Sequence, residues 1–336
     1  MTDVGPFGLS VRDQALEADV QAGLAAVEEG LFEATKSEVP FITEAAQHLV
    51  RAGGKRFRPL LVMLSAQFGD PYAPGIVPSA VVVELTHLAT LYHDDVMDEA
   101  TVRRGVASAN TRWGNSVAVL TGDFLFARAS HTLADLGPEA VRVQAEAFER
   151  LVTGQILETA GPQDGRDPVE HYLDVLAGKT GSLVAVSCRF GAMMSGADET
   201  TVDVLTQYGE RLGVAFQLAD DVLDIASDSH ESGKTPGTDL REGIPTMPVL
   251  RLREQAARLG LADDVALCEL LDSDLTDDAR HAEALRLLRA HPALEQARRD
   301  TVRYAQDARS ALAPLPECAA KAALVELSDA VVHRAG

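Results

Sequence analysis

Two short acidic phrases stand in this chain, His93-Asp94-Asp95-Val96-Met97-Asp98 and Ala219-Asp220-Asp221-Val222-Leu223-Asp224. Each sets three carboxylates at positions i, i+1 and i+4. On a helix, i and i+4 leave the same face one turn apart, with i+1 beside them. Like charges this close repel unless a cation neutralises them, and a hard divalent ion such as Mg2+ takes carboxylate oxygens together with a substrate's phosphates. One such trio is also what a solvated acidic turn looks like. Two copies, each inside a long apolar helical segment and one in each half of the chain, point to metal-assisted chemistry on a phosphorylated substrate.

Basic residues stand where such a substrate needs them. In Gly53-Gly54-Lys55-Arg56-Phe57-Arg58-Pro59 the glycines let backbone approach a ligand, and Lys55 and Arg58 share a face if Pro59 lies near a helix start. The spacing is not that of a P-loop. His87 lies two helical turns before Asp94 on nearly the same face; the competing reading is an ordinary core histidine. Arg103-Arg104-Gly105 follows Asp98, offering guanidinium forks that grip diphosphate oxygens in pairs. Around the second phrase, Gln217, Asp221 and Asp224 fall at i, i+4 and i+7, Lys179-Thr180-Gly181 precedes them, and Lys234 and Asp239 follow in a segment rich in Gly, Pro and Thr. That segment reads as a loop that closes over phosphates, against the alternative of a solvated surface loop. Leu261-Ala262-Asp263-Asp264-Val265 copies the start of the second phrase, but Leu267 stands at i+4 and no basic residue accompanies it; it reads as surface.

The elements that must position these residues are helical. Ala, Leu, Glu and Arg abound and strand-like alternation is rare. Breaker clusters at Gly69 to Pro74, Leu136-Gly137-Pro138, Gly161 to Pro168 and Ser227 to Gly243 separate about ten helices of roughly 15 to 25 residues. The expectation is an all-α chain, one large helical bundle with a central cavity, its sites built from side chains on facing helices. If the two phrase-bearing helices face each other, six carboxylates line the mouth of that cavity. At 336 residues, with no linker of biased composition, residues 1–336 read as a single domain. A formal net charge of −21 excludes a nucleic-acid partner. Cys188, Cys268 and Cys318 form neither a disulfide framework nor a zinc spacing, no signal-like apolar segment opens the chain, and no transmembrane run is present, so a cytoplasmic protein is expected.

Together these motifs resemble the trans-polyprenyl diphosphate synthases, from about Leu49 to Pro248 and, more weakly, to the C-terminus. Gly122-Asp123 also falls in the family's order, while Leu91-Tyr92-His93 and Gly237-Thr238-Asp239-Leu240-Arg241-Glu242-Gly243 look most like actinobacterial enzymes for menaquinone side chains. The resemblance implies an isoprenoid-synthase bundle, usually homodimeric, with Asp94, Asp95, Asp98, Asp220, Asp221 and Asp224 holding three Mg2+ ions per active site. It implies that Arg103, Lys179, Thr180, Gln217 and Lys234 contact an allylic diphosphate, with Lys179 and the six aspartates as the catalytic set. Lys55, Arg58, His87 and Arg104 then hold isopentenyl diphosphate. The chain departs from many relatives at position 244, where Ile replaces a lysine.

The chemistry implied is head-to-tail (1'-4) prenyl transfer. Neutralising the leaving diphosphate lets an allylic cation form, the double bond of isopentenyl diphosphate attacks it, and loss of a proton to the released diphosphate regenerates an allylic diphosphate. No nucleophilic Ser or Cys is needed. Val83, Thr86 and Thr90 share the helical face below Asp94 and Ala89 borders it. In the family, bulky aromatics there stop the growing tail. Small residues here imply a medium or long all-trans product, hexaprenyl to nonaprenyl, hydrophobic and delivered to the membrane, for menaquinone. Phe148, Met193 and Met194 are either cavity floor or ordinary core. The alternatives are a geranylgeranyl diphosphate synthase, a terpene cyclase, a non-catalytic partner subunit of a heteromeric synthase, and an acidic helical scaffold.

Overall fold

The structure is a computed structural model describing residues 13–163, 165–226 and 236–335. Those residues are all-α apart from one hairpin. In chain order the elements are α1 (Gln14–Ala34), α2 (Pro40–Arg51), α3 (Phe57–Ala66), α4 (Ile76–Met97), β1 (Val102–Arg103), β2 (Val106–Ala107), α5 (Ala109–Trp113), α6 (Asn115–Leu136), α7 (Pro138–Ala160) and α8 (Pro168–Leu176). A π-helical turn, Ala177–Gly181, leads into α9 (Ser182–Met194). Then come α10 (Glu199–Ala226), α11 (Thr238–Arg241), α12 (Met247–Leu259), α13 (Ala262–Leu271), α14 (Asp278–Ala290), α15 (Pro292–Ala311) and α16 (Ala319–Ala335).

The chain divides into two compact units. The first comprises Met1–Glu149, Ser182–Gly209 and Ala311–Glu326, the second Arg150–Gly181, Glu210–Ser310 and Leu327–Gly336. In the first unit α4 is the spine, packed on α1, α3, α6 and α9. Its apolar residues are not confined to a stripe, because it is buried on nearly every side. Tyr92 ties it to α2: the phenol donates to the Ala45 carbonyl at 2.6 Å and accepts from the Leu49 N–H at 3.3 Å.

The second unit packs α12 on α8 and α13, and α14 on α11 and α13. Asp167 caps α8, its carboxylate accepting from the Val169 and Glu170 N–H groups at 2.9 Å. Asp264, expected at the surface, is buried here. It accepts from the Gln255 amide at 3.0 Å and pairs with His291 at 3.1 Å, so it serves the packing of α12, α13 and the start of α15. The rest of the segment, Leu261, Ala262, Asp263 and Val265, is exposed as expected.

Candidate functional site

The first acidic phrase sits on the last turn of α4, and the way that helix stops arranges it. Asp98 is the C-cap, and Glu99 takes a left-handed φ of 50°. The Glu99 N–H then donates to the Val96 carbonyl at 3.5 Å, and the Ala100 N–H to the Asp95 carbonyl at 3.0 Å, the pair of bonds that defines a Schellman stop. Asp98 N–H still donates to Asp94 O at 2.8 Å, so Asp94 and Asp98 remain one helical turn apart on one face. Asp94 is half-buried and Asp98 exposed, whereas Asp95 is wholly buried. Arg103 donates to Asp95 Oδ1 at 2.6 Å, and Oδ2 is left without a partner. Burial raises the Asp95 pKa above the usual carboxylate range, opposed by Arg103.

Arg103 reaches Asp95 because β1 and β2 form a tight hairpin. Arg103 pairs with Val106, and the two connecting residues, Arg104 at φ 54° and Gly105 at φ 78°, are both left-handed, as a type I′ turn requires. Arg104 turns back onto the glycine loop, donating to the carbonyls of Gly53 and of Leu49, the latter at 3.2 Å. In that loop Arg56 also has a left-handed φ of 51°, and its guanidinium is spent on structure: Glu28 at 2.7 Å, the buried Glu84 at 2.9 Å and the Val50 carbonyl at 3.2 Å. α3 starts at Phe57, so Pro59 lies in its first turn and Lys55 precedes the helix, exposed.

Arg58, His87 and Arg104 come together in this unit. Burial pushes the Arg58 guanidinium down to about 10, with Arg104 adding to the shift and Glu84 opposing it. Burial first, then Arg58, Arg104, Arg103 and Arg56, hold the His87 imidazole well below its usual 6.5. A neutral imidazole adds no charge to this cluster, whose positive charge is that of the guanidiniums, balanced in part by the buried Glu84. Of the residues below Asp94, Val83, Thr86 and Ala89 are fully buried and Thr90 half-buried. The Thr86 hydroxyl accepts from the Gln144 amide at 2.9 Å and Thr90 donates to the His87 carbonyl at 2.8 Å. Phe148 stacks at a tilt on Phe126, centroids 4.3 Å apart, and Phe126 lies 6.2 Å from the His93 ring. Gly122 is required where it stands: a Cβ there would lie 2.3 Å from His93 Nε2.

In the second unit a chain of hydrogen bonds runs through the second phrase. Thr180 donates to Gln217 Oε1 at 3.3 Å, the Gln217 amide donates to Asp221 Oδ1 at 3.0 Å, and the Tyr172 hydroxyl donates to Asp221 Oδ2. Tyr172 in turn accepts from the Met247 N–H at the start of α12. Asp221 is buried, and burial pushes its carboxyl up to about 7 against the pull of Tyr172 and Gln217. Asp220 and Asp224 are half-buried. Lys179 lies on the π-helical turn, which approaches α7 so closely that a Cβ at Gly154 would stand 2.6 Å from the Lys179 nitrogen. Its ammonium pairs with Glu158 at 2.6 Å. Lys234 lies outside the described residues. A cavity of about 380 Å³ lined by Leu157, Gln163, Arg166 and His171 contains none of the expected site residues.

Among the described residues no three His, Cys, Asp or Glu side chains converge as a ready metal cage. Mg2+ does not demand one, since it keeps waters and takes one or two carboxylates plus phosphate oxygens. Paired carboxylates one turn apart beside a buried, unpartnered carboxylate oxygen fit that role.

The profile of the polyprenyl synthetase family matches residues 39–288. The chain belongs to that family. It is 48% identical over 331 residues to the nonaprenyl diphosphate synthase of Mycobacterium tuberculosis, covering 98% of this chain and 97% of that one. Among solved structures it is similar to a geranylgeranyl pyrophosphate synthase from Corynebacterium glutamicum complexed with calcium and isoprenyl diphosphate, at TM-score 0.86 and 43% identity over 96% and 98% of the two chains. It is similar also to a polyprenyl synthase from Caulobacter crescentus, again with calcium and isoprenyl diphosphate, at TM-score 0.87, 33% identity and 99% coverage of both. Within this family member, sequence reasoning missed Glu84, Glu158 and Tyr172. Each acts through a partner at least 21 positions away, and no local spacing announces such a pairing.

Proposed function

We propose that this polyprenyl synthetase is a Mg2+-dependent head-to-tail prenyltransferase that condenses isopentenyl diphosphate with an allylic diphosphate to a hexaprenyl-to-nonaprenyl product. The observation that carries the reading is the likeness to the nonaprenyl diphosphate synthase along 98% of this chain. Residues 1–336 act as one functional domain in a cytoplasmic homodimer, and the product goes to menaquinone. No helix among the described residues is long and apolar enough to cross a membrane.

Asp94, Asp98, Asp220 and Asp224 would hold the metal ions, which supply charge neutralisation of the leaving diphosphate. Asp95 and Asp221 are the buried members of the two phrases. Their hydrogen bonds to Arg103 and to Tyr172 and Gln217 suit them to orient the phrases and complete the charge. Arg58 and Arg104, with His87 neutral between them, bind the diphosphate of isopentenyl diphosphate, and Lys55 adds its charge from the loop. Lys179 leaves Glu158 to reach the allylic diphosphate, with Thr180, Gln217, Arg103 and Lys234. Binding both diphosphates on preset charges brings the double bond to the allylic carbon without a protein nucleophile. Val83, Thr86, Ala89 and Thr90 leave no bulky side chain in the path of the tail.

The similarity to a geranylgeranyl pyrophosphate synthase favours one second reading, a shorter product. Purified protein with Mg2+, labelled isopentenyl diphosphate and each allylic primer in turn decides between them. A ladder ending at one length of thirty carbons or more, abolished by chelator, is expected. Termination at twenty carbons supports the second reading, and no incorporation overturns both.

A further inference from the structure

α14 lies beyond the motifs, yet two of its side chains reach the flanks of one phrase aspartate. His281, 5% exposed, has Nε2 2.7 Å from the Gly237 carbonyl. A carbonyl only accepts, so Nε2 carries the proton and donates. The Gly237 N–H donates to the Asp224 carbonyl at 2.8 Å. Thr238 N–H and Asp239 N–H each lie 3.2 Å from a different oxygen of the Asp224 carboxylate. Gly237 alone fits between these partners: its φ is 73°, and a Cβ would stand 2.7 Å from His281 Nε2. On the other flank Arg289 Nε donates to the Ile225 carbonyl at 2.6 Å, one of the last-turn carbonyls that α10 itself cannot satisfy. Arg241 ties α11 to the head of α14, with Asp278 at 2.9 Å and the Thr276 carbonyl at 3.1 Å.

The residues on either side of the Asp224 carboxylate are thus held from one helix, and the carboxylate is oriented by amides whose own position depends on His281. We infer that His281 and Arg289 are positioning residues for the second acidic phrase, fixing Asp224 in the orientation in which it engages the metal-bound diphosphate. This rests on the synthase reading. Partners that orient a ligating carboxylate typically matter about 10- to 100-fold in metal affinity.

The full-length protein and the variants His281→Ala, His281→Gln and Arg289→Ala are compared by calorimetric binding of inorganic diphosphate in Mg2+ and by steady-state kinetics with farnesyl and isopentenyl diphosphates. His281→Ala and Arg289→Ala should weaken Mg2+-dependent diphosphate binding and raise the KM for farnesyl diphosphate by about tenfold, as loss of such a partner does. The KM for isopentenyl diphosphate should stay within about twofold. His281→Gln places an amide N–H where the ring Nε2 stands and should recover most of the loss. Wild-type binding in both alanine variants, or an equal rise in both KM values, overturns the inference while leaving the synthase reading intact. If His281→Ala does not fold, Arg289→Ala must still show the loss and His281→Gln must bind close to wild type, and failure of either overturns the inference. An unsubstituted protein that binds no diphosphate with Mg2+ overturns inference and reading together.

Discussion

At the residue scale the two phrases solve the same problem with different partners. Each has a buried middle aspartate, Asp95 held by Arg103 and Asp221 by Tyr172 and Gln217. A carboxylate taken out of water costs free energy unless donors replace the water. For Asp221 the donors do not fully compensate, and its carboxyl is pushed up to about 7. Tyr172→Phe removes one donor and leaves the ring's packing. Its kcat should fall at least about tenfold, in line with the loss of other orienting partners, while the KM for isopentenyl diphosphate is unchanged; a wild-type kcat would show that Asp221 needs no such holding. His87 offers a test of the basic cluster by pH. Its folded pKa lies well below the 6.5 of an ordinary imidazole. As pH falls through about 6.5 the unfolded chain takes up a proton that the folded chain refuses, so stability is lost from there down to the folded pKa, with no contribution above. Urea midpoints between pH 7.5 and 5 should fall more steeply for the wild type than for His87→Gln. Parallel curves would mean that His87 is not held neutral.

At the element scale the site depends on close helix contacts, and Gly122 makes one beside the first phrase. α6 carries it against α4, where the added Cβ of Gly122→Ala would meet His93 Nε2 at 2.3 Å, Cδ2 at 2.6 Å and the Ala89 carbonyl at 3.1 Å. The ring must swing or the helices part, so thermal unfolding should show a loss of about 1–3 kcal/mol, the usual cost of overpacking. An unchanged Tm would mean that His93 swings freely. Much of this architecture was legible. Gly137-Pro138 and the Gly161–Pro168 cluster do end helices, and both acidic phrases lie on long helices, α4 and α10, because i and i+4 spacing is a local property of a helix face. Helix lengths were less so: seven helices run from 17 to 28 residues and the others are shorter, many of them divided by turns that carry no proline. The π-helical turn under Lys179 left no periodic mark, since one extra residue in a turn changes no composition. Asp263-Asp264 misled for the opposite reason. The pair looks solvated along the sequence, and Gln255 and His291, 9 and 27 positions away, are what hold Asp264 inside. In the basic loop the division of labour, Arg56 for Glu28 and Glu84 and Arg58 beside His87, depends on the left-handed turn at Arg56, which no local spacing announces.

At the scale of the whole molecule the charge of −21 sets a condition on everything above. Exposed like charges repel across the folded chain, and monovalent salt relieves this as the Debye length shortens from about 30 Å at 0.01 M to about 8 Å at 0.15 M. The Tm should therefore rise with NaCl over that range. Screening is indifferent to which cation supplies it, whereas binding is not. An ion that binds the folded chain at defined carboxylates stabilises it by mass action in addition to screening. At matched ionic strength Mg2+ should raise the Tm above the NaCl value, and inorganic diphosphate should enlarge the difference because it completes the coordination that two carboxylates leave open. The double substitution Asp94→Asn, Asp98→Asn separates the two effects. It removes two negative charges and so should raise the low-salt Tm slightly, yet it should abolish much of the Mg2+-specific increment. If the increment survives intact, the ion is held elsewhere, and the first acidic phrase loses its place in the proposed chemistry.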